Sequence, residues 1–387
     1  MINYFPEIRA IQQAPGYRVC VRCVMDTTHT NTDFDAKGVC RQCRAYDEAM
    51  RTWPSEAERK SRLEQMIEGI KRSGLGNDYD CLLGLSGGVD SSYLACLLKS
   101  WGLRVLAVQF DNGWNTELAV KNIESLCKKL SLDLDTHVVD WPEFRDLQLA
   151  FLRAGVANVE APTDHGIFGA LYQAAWKHRI REVISGANFA TEHSNVGCDY
   201  GWDYSDLRQL KAIHRRYSAT PLRTFPSLHY LIRLCYTTLG GMRARQPLNL
   251  VDYHKPSAIN YLMETVGWKP YAGKHGESVI TRFHQAYILP KKFRKDKRIM
   301  HLSDMIHSGQ TTRAAALAEL AEPPYDPSLM EQDRVFVIKK FKISEAEFDA
   351  IIKSPPTGYR AYPNSESLYK IVRQMVRVKH AIQGKRT

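Results

Sequence analysis

The stretch from Cys81 to Gly102 constrains this chain more than any other. Residues 81–85 form a short apolar run of strand type, Ser86-Gly87-Gly88-Val89-Asp90-Ser91-Ser92 follows without a spacer, and residues 91–101 read as a helix. Leu94, Leu97 and Leu98 share its inward face and Gly102 stops it. Two glycines let the backbone approach a ligand closely, and the helix that starts at once turns its unpaired N–H groups and positive dipole end towards that ligand. The segment is therefore an anion cradle. It lacks the Gly-Lys-Ser/Thr ending of a Walker A loop and is not Gly-x-Gly-x-x-Gly.

The text around the cradle alternates between strand and helix. A strand at 105–110, a helix at 117–130, a strand at 136–139, helices at 144–154 and 166–178 and a strand at 182–185 are predicted. Such alternation gives a mostly parallel sheet covered on both faces, with ligands at the carboxyl ends of the strands. Upstream, Ser55 and Glu58 form a capping box for a helix ending at Gly74, expected to pack the N-terminal module onto the sheet domain. After about residue 200 strand signals fade into helices with basic loops, and Ser344 and Glu347 open a late helix before Pro355-Pro356. Three units are expected, at 1–50, 51–200 and 201–387.

Cys20-x-x-Cys23 and Cys40-x-x-Cys43 stand sixteen residues apart, the spacing of a four-cysteine ribbon. Four thiolates on one tetrahedral Zn²⁺ leave no position for a catalytic water, so a structural zinc is expected. Cys81, Cys96 and Cys127 fall on inward positions and read as small core residues. The residue at position 2 is Ile, and no cysteine lies in a Gly-x-Cys-x-Gly elbow, so no glutaminase nucleophile is evident. The net charge of +11 points to an anionic partner such as a nucleotide, sugar phosphate or nucleic acid. With no signal-type leader and no apolar run long enough to span a bilayer, a cytoplasmic protein without membrane insertion is expected.

Ser-Gly-Gly-x-Asp-Ser resembles the signature of the PP-loop ATP pyrophosphatases. The resemblance implies an α/β parallel-sheet domain that cleaves ATP between its α and β phosphates and transfers AMP to a carbonyl or amide oxygen. By it, Ser86, Gly87, Gly88, Ser91 and Ser92 contact phosphates, Asp90 positions Mg²⁺, and the strand end carrying Gln109 and Asp111 lies near the adenosine. Gly186-Ala187-Asn188 resembles the Gly-x-Asn segment of ammonia-using members such as NAD synthetase; it is equally a common loop text.

Further on, the text from Gly267-Trp268-Lys269-Pro270-Tyr271 through Lys274-His275-Gly276-Glu277-Ser278 to Asp296-Lys297-Arg298 is similar to the N-acetyl sugar amidotransferases of WbpG-like and PseA-like type. Pro270 and Ala272 stand where that family has glycines. The resemblance implies conversion of an N-acetyl group on a nucleotide-linked sugar to an acetamidino group, with ammonia from a separate glutaminase resembling the subunits of imidazole glycerol phosphate synthase. Lys274, His275 and Glu277, in a glycine-flanked loop, become candidate catalytic groups together with Asp90. Lys292, Lys297 and Arg298, in a basic stretch interleaved with apolar residues, become candidates for binding substrate phosphate; a solvated surface is the plain alternative for such a run. The competing reading is a tRNA-modifying PP-loop enzyme of thiolase or lysidine synthetase type. No cysteine pair beyond the ribbon is available as a sulfur carrier, and no aromatic and basic platform for RNA is evident, so a nucleic-acid partner is not expected.

Overall fold

The computed structural model describes residues 4–29, 32–195, 203–238, 240–271, 276–370 and 374. Five parallel strands, β1 (Cys81–Gly84), β2 (Val105–Asp111), β3 (Asp133–Val138), β4 (Glu182–Ile184) and β5 (Arg243–Arg245), form one sheet in the order β3-β2-β1-β4-β5. The chain order reverses at β1, between β2 on one side and β4 on the other, so the crevice at the carboxyl edge opens beside β1. The α/β reading and its parallel sheet hold.

Buried Leu83, Leu94, Leu98, Ala107 and Ile123 share one core with Leu262, Val266 and Trp268 from the later part of the chain. The helix Glu56–Ser73 starts on the Ser55–Glu58 capping box, and its Met66, Ile67 and Ile70 pack into this core. The four-cysteine module does not reach the sheet through that helix. It packs directly on Ile299, Met300, Leu302, Ala316 and Leu320 of the helices Arg298–His307 and Arg313–Ala321.

The strand β5 was not foreseen. Its Arg243-Ala244-Arg245 text carries no apolar period because it is an edge strand held by ion pairs: Arg243 and Arg245 reach opposite oxygens of Glu182, 3.2 and 2.8 Å away and wholly buried. The segment after residue 200 thus completes the sheet. Among the described residues no helix is long and apolar enough to cross a membrane.

Candidate active site

The backbone leaves β1 through Leu85, turns at Gly87 with φ of +80°, and enters the helix Val89–Ser100. Gly88 occupies the cap position, and no side chain takes up the N–H groups of the first turn. These donors remain available to an anion. The hydroxyls of Ser86 and Ser91 lie 3.2 Å apart, Gly88 N donates to Ser86 Oγ, and Ser91 Oγ donates to Gly88 O, so the loop is tied to itself.

It is also braced from behind. Gly87 O accepts from Trp268 Nε1 at 3.1 Å and from Tyr271 Oη at 2.9 Å, while the Asn122 amide clamps both N and O of Lys269. This explains the Gly-Trp-Lys-Pro-Tyr text, whose role the sequence left open. A Cβ at Gly87 would lie 3.2 Å from Ile123 Cγ1 and 3.3 Å from Ala119 O, on a backbone that L-residues rarely adopt. Gly87→Ala is therefore expected to cost roughly 1–3 kcal/mol of stability, read from denaturant unfolding.

Asp90 stands in the first turn of the same helix. Its Oδ1 accepts from the Tyr253 hydroxyl and faces Asn188 Nδ2 at 3.5 Å. Burial and the Asp90 charge push the Tyr253 phenol up, which keeps it a donor. Gly186 comes so close to the helix start that a Cβ there would sit 3.1 Å from Ser91 N. Asn188 caps the short helix Phe189–Glu192 through its Oδ1. The Gly-Ala-Asn segment thus packs on the cradle.

Two cavities meet here. One, of about 620 Å³, is lined by Ser86, Gly88, Asp90, Ser91, Gly186 and Glu277 among others. The second, of about 850 Å³, runs along the carboxyl ends of the strands past Gln109, Glu160, Asp164, His284 and Lys297. Ser86, Gly186 and Glu277 border both. Glu277 arrives there because Gly276–Val279 lies along the turn after β2: Thr116 N donates to Glu277 O and Val279 N to Trp114 O.

The second cavity holds the groups that the sequence reading missed. Burial pushes the Glu160 carboxyl up to about 8, aided by the charge of Asp164; a hydrogen bond from Thr281 and the Lys297 ammonium partly oppose it. Burial likewise raises Asp164 to about 6, against Lys297. Glu160 Oε1 is buried without a hydrogen-bond partner. Burial and Lys297 lower His284 to about 3, so its ring is neutral, and Nε2 donates to Ala157 O at 2.9 Å. His284 opens a π-helical turn, His284–Ile288, in the cavity wall; such turns recur at functional sites.

Other expected site residues fall elsewhere. Lys292 is buried, with Nζ donating to Ile351 O, Ser354 O and Ser354 Oγ. Its ammonium satisfies the last carbonyls of the helix Glu345–Lys353 instead of facing a substrate. Arg298 pairs with Asp296 and donates to the carbonyls of Glu319 and Glu322, so it too caps a helix end. Of the three, Lys297 lines the second cavity. Asp111 Oδ1 accepts from Gly113 N and shapes the turn after β2, and Ser92 is buried below the loop. Lys274 and His275 lie outside the described residues.

The four cysteines are fully buried, with Sγ separations of 3.7 Å for Cys20–Cys43 and 3.6 Å for Cys23–Cys40. Four thiolates about 2.3 Å from one tetrahedral ion stand about 3.8 Å apart. Backbone N–H groups of Cys23, Met25, Cys40 and Cys43 point at the sulfurs, as anionic acceptors require. The set fits one closed metal centre.

The sheet order and the cradle at the end of β1 define a parallel α/β protein with an anion-binding loop at its topological switch point. Residues 277–376 match the family described as LPS biosynthesis protein WbpG-like, C-terminal domain, so this region, which follows the parallel-sheet domain, is similar to that family. No curated protein matches the chain. Among solved structures it is similar to NMN synthetase from Francisella tularensis, at 16% identity over 75% of this chain and 98% of that one, with a TM-score of 0.36. It is also similar to the U34-tRNA thiolase NcsA from Methanococcus maripaludis with its [4Fe-4S] cluster, at 12% over 82% and 88%, TM-score 0.35. NH3-dependent NAD synthetase from Campylobacter jejuni is similar at 17% over 54% and 93%, TM-score 0.29.

Proposed function

We propose that the chain is an amidotransferase that adenylates the N-acetyl amide oxygen of a nucleotide-linked sugar and replaces that oxygen with ammonia-derived nitrogen, in surface-polysaccharide or nonulosonic acid biosynthesis. The observation that carries this reading is the meeting of the two cavities at Ser86, Gly186 and Glu277, one holding the anion cradle and the other the partly buried carboxyl groups of Glu160 and Asp164. Activation and displacement are separate chemical demands, and adjoining chambers suit them. The match of residues 277–376 to a WbpG-like LPS biosynthesis domain supports a glycan substrate.

In this reading the free N–H groups of residues after Gly88 and the hydroxyls of Ser86 and Ser91 hold the polyphosphate of ATP. Asp90 is the carboxylate that would hold Mg²⁺, which when bound would supply charge to offset that of the pyrophosphate. The amide oxygen attacks the α phosphorus, the bond to the β-phosphate oxygen breaks, and pyrophosphate leaves. Ammonia adds to the resulting imidate carbon, Glu160 takes a proton from the nitrogen, and the carbon–oxygen bond breaks to release AMP and leave the amidine. A Zn²⁺ held by Cys20, Cys23, Cys40 and Cys43 serves the fold alone. Ammonia comes from a separate glutaminase resembling the subunits of imidazole glycerol phosphate synthase, and the chain works in the cytoplasm.

The test incubates the protein with Mg-ATP, ammonium and UDP- or CMP-linked N-acetyl sugars. The expected product is about one mass unit lighter than the sugar substrate, since NH replaces O, and it forms together with AMP and pyrophosphate. Modification of a tRNA with no change in any sugar would instead favour the thiolase or lysidine synthetase type.

A further inference from the structure

We infer that the chain holds a second metal ion, a divalent first-row transition metal, on His193 Nε2, His307 Nδ1 and Asp304 Oδ1. These three atoms converge within 4.8 Å of one another. His193 Nε2 lies 2.8 Å from His307 Nδ1 and 3.2 Å from Asp304 Oδ1. The neighbours of the outer ring nitrogens fix the tautomers. His193 Nδ1 lies 3.0 Å from Phe189 O, which can only accept, so Nδ1 carries the hydrogen. His307 Nε2 lies 2.9 Å from Cys43 Sγ, and a ribbon thiolate can only accept, so Nε2 carries the hydrogen there.

Both inner nitrogens then present lone pairs to each other and to a carboxylate. His193 Nε2 thus faces two further acceptors, 2.8 and 3.2 Å away, with no hydrogen between them, and such groups repel unless a cation lies among them. Ligands about 2.1 Å from one ion stand about 3.0 Å apart at right angles and about 3.4 Å apart at tetrahedral angles, and the two separations from His193 Nε2, 2.8 and 3.2 Å, lie close to the short end of that range. Two imidazoles and a carboxylate are a donor set of intermediate hardness, suited to Zn²⁺ or Fe²⁺ rather than to Mg²⁺. The outer shell is of the type that orients metal ligands: a carbonyl on one imidazole, a sulfur on the other, and Ser194 N donating to Asp304 Oδ1 at 3.1 Å.

The place of the site in the fold gives it a purpose. His193 follows the short helix capped by Asn188, Asp304 and His307 belong to the helix Arg298–His307, and Cys43 belongs to the ribbon. Tyr46 stacks on His307 with ring centroids 5.0 Å apart, and Phe189 packs against His193 at 4.9 Å, closing the site off. None of the three ligands lines either cavity. The ion is therefore a staple that ties the ribbon and the helix Arg298–His307 to the segment that packs Asn188 against Asp90.

The test is metal content of the full chain after incubation with excess Zn²⁺ and desalting. Wild type is expected to retain two ions, His193→Gln and Asp304→Asn one each. Replacement by Co²⁺ separates the centres: the ribbon gives thiolate-to-cobalt charge transfer, and the second site adds weaker bands without it, absent from both variants. A folded wild type that holds one ion and shows the charge transfer alone overturns the proposal and means that a proton is shared between the imidazoles. Retention of the second cobalt phase in a folded variant also overturns it. The wild-type stoichiometry and spectrum decide the matter even where a variant does not fold. They also separate this site from the sugar chemistry, because neither readout needs a substrate.

Discussion

Asp90→Asn is expected to lower formation of AMP and pyrophosphate by roughly a thousandfold while leaving the chain folded. A carboxylate in the first turn of a helix is favoured by the helix dipole, but at the mouth of an anion cradle it repels a polyphosphate unless a cation stands between them. Asp90 occupies that position, with its Oδ1 already bonded by Tyr253 and close to Asn188. Asparagine keeps the shape and an acceptor for Tyr253 and removes only the charge. Tyr253→Phe removes the hydroxyl and keeps the charge, so its loss should be far smaller, on the order of tenfold. The products are separated by anion-exchange chromatography and the fold followed by thermal unfolding. Asp90→Asn activity within tenfold of wild type, or ADP and phosphate as products, would sink the assignment of Asp90 and of the cradle.

The cradle was legible because its chemistry is local. Ser86, the two glycines and Asp90 must adjoin a strand and a helix start, and the apolar text on either side declares both elements. The ribbon was legible for a similar reason, since ligand spacing is written along the chain. The basic residues misled because a charge in sequence does not reveal its partner: Lys292 and Arg298 each end on backbone carbonyls that lie tens of residues away. The edge strands were weakly written. β3 alternates between exposed and half-buried residues, and β5 relies on Glu182 for its hold.

The acidic pair was missed through a boundary. Sequence periodicity starts the fourth sheet-covering helix at residue 166, whereas it spans Ala161–Lys177, with Pro162 near its start and Asp164 in its first turn. That helix leads into β4, so its N-terminus lies at the carboxyl edge of the sheet, where ligands of such folds bind. Placing the start five residues earlier would have brought Glu160 and Asp164 to the site. The His193, Asp304 and His307 group had no local signal, because His193 stands more than a hundred residues from the other two, which share one helix, and meets them only through packing.

Glu160→Gln is expected to uncouple the two halves of the reaction. Adenylation draws on the cradle and should continue, so substrate-dependent exchange of labelled pyrophosphate into ATP stays within a few-fold of wild type. Amidine formation from ammonium should fall roughly 10²- to 10⁴-fold, the usual worth of a positioned general base. The wild-type rate has a matching pH dependence. Glu160 accepts a proton only when ionised, and burial holds its carboxyl up to about 8, so the rate should climb as pH passes through 8 and level off above it. Because free ammonia also increases with pH, each point is taken at constant free ammonia, and the climb should vanish in Glu160→Gln. Stability supplies a second reading with the opposite slope. A folded-state carboxyl raised above its unfolded value retains a proton that the unfolded chain has released, so stability from this group declines as pH rises from the ordinary glutamate range through about 8. Glu160→Gln should flatten that decline in a urea series. Loss of pyrophosphate exchange together with amidine formation would assign Glu160 to holding the pocket in shape, and an unchanged pH profile in the variant would remove it from proton transfer.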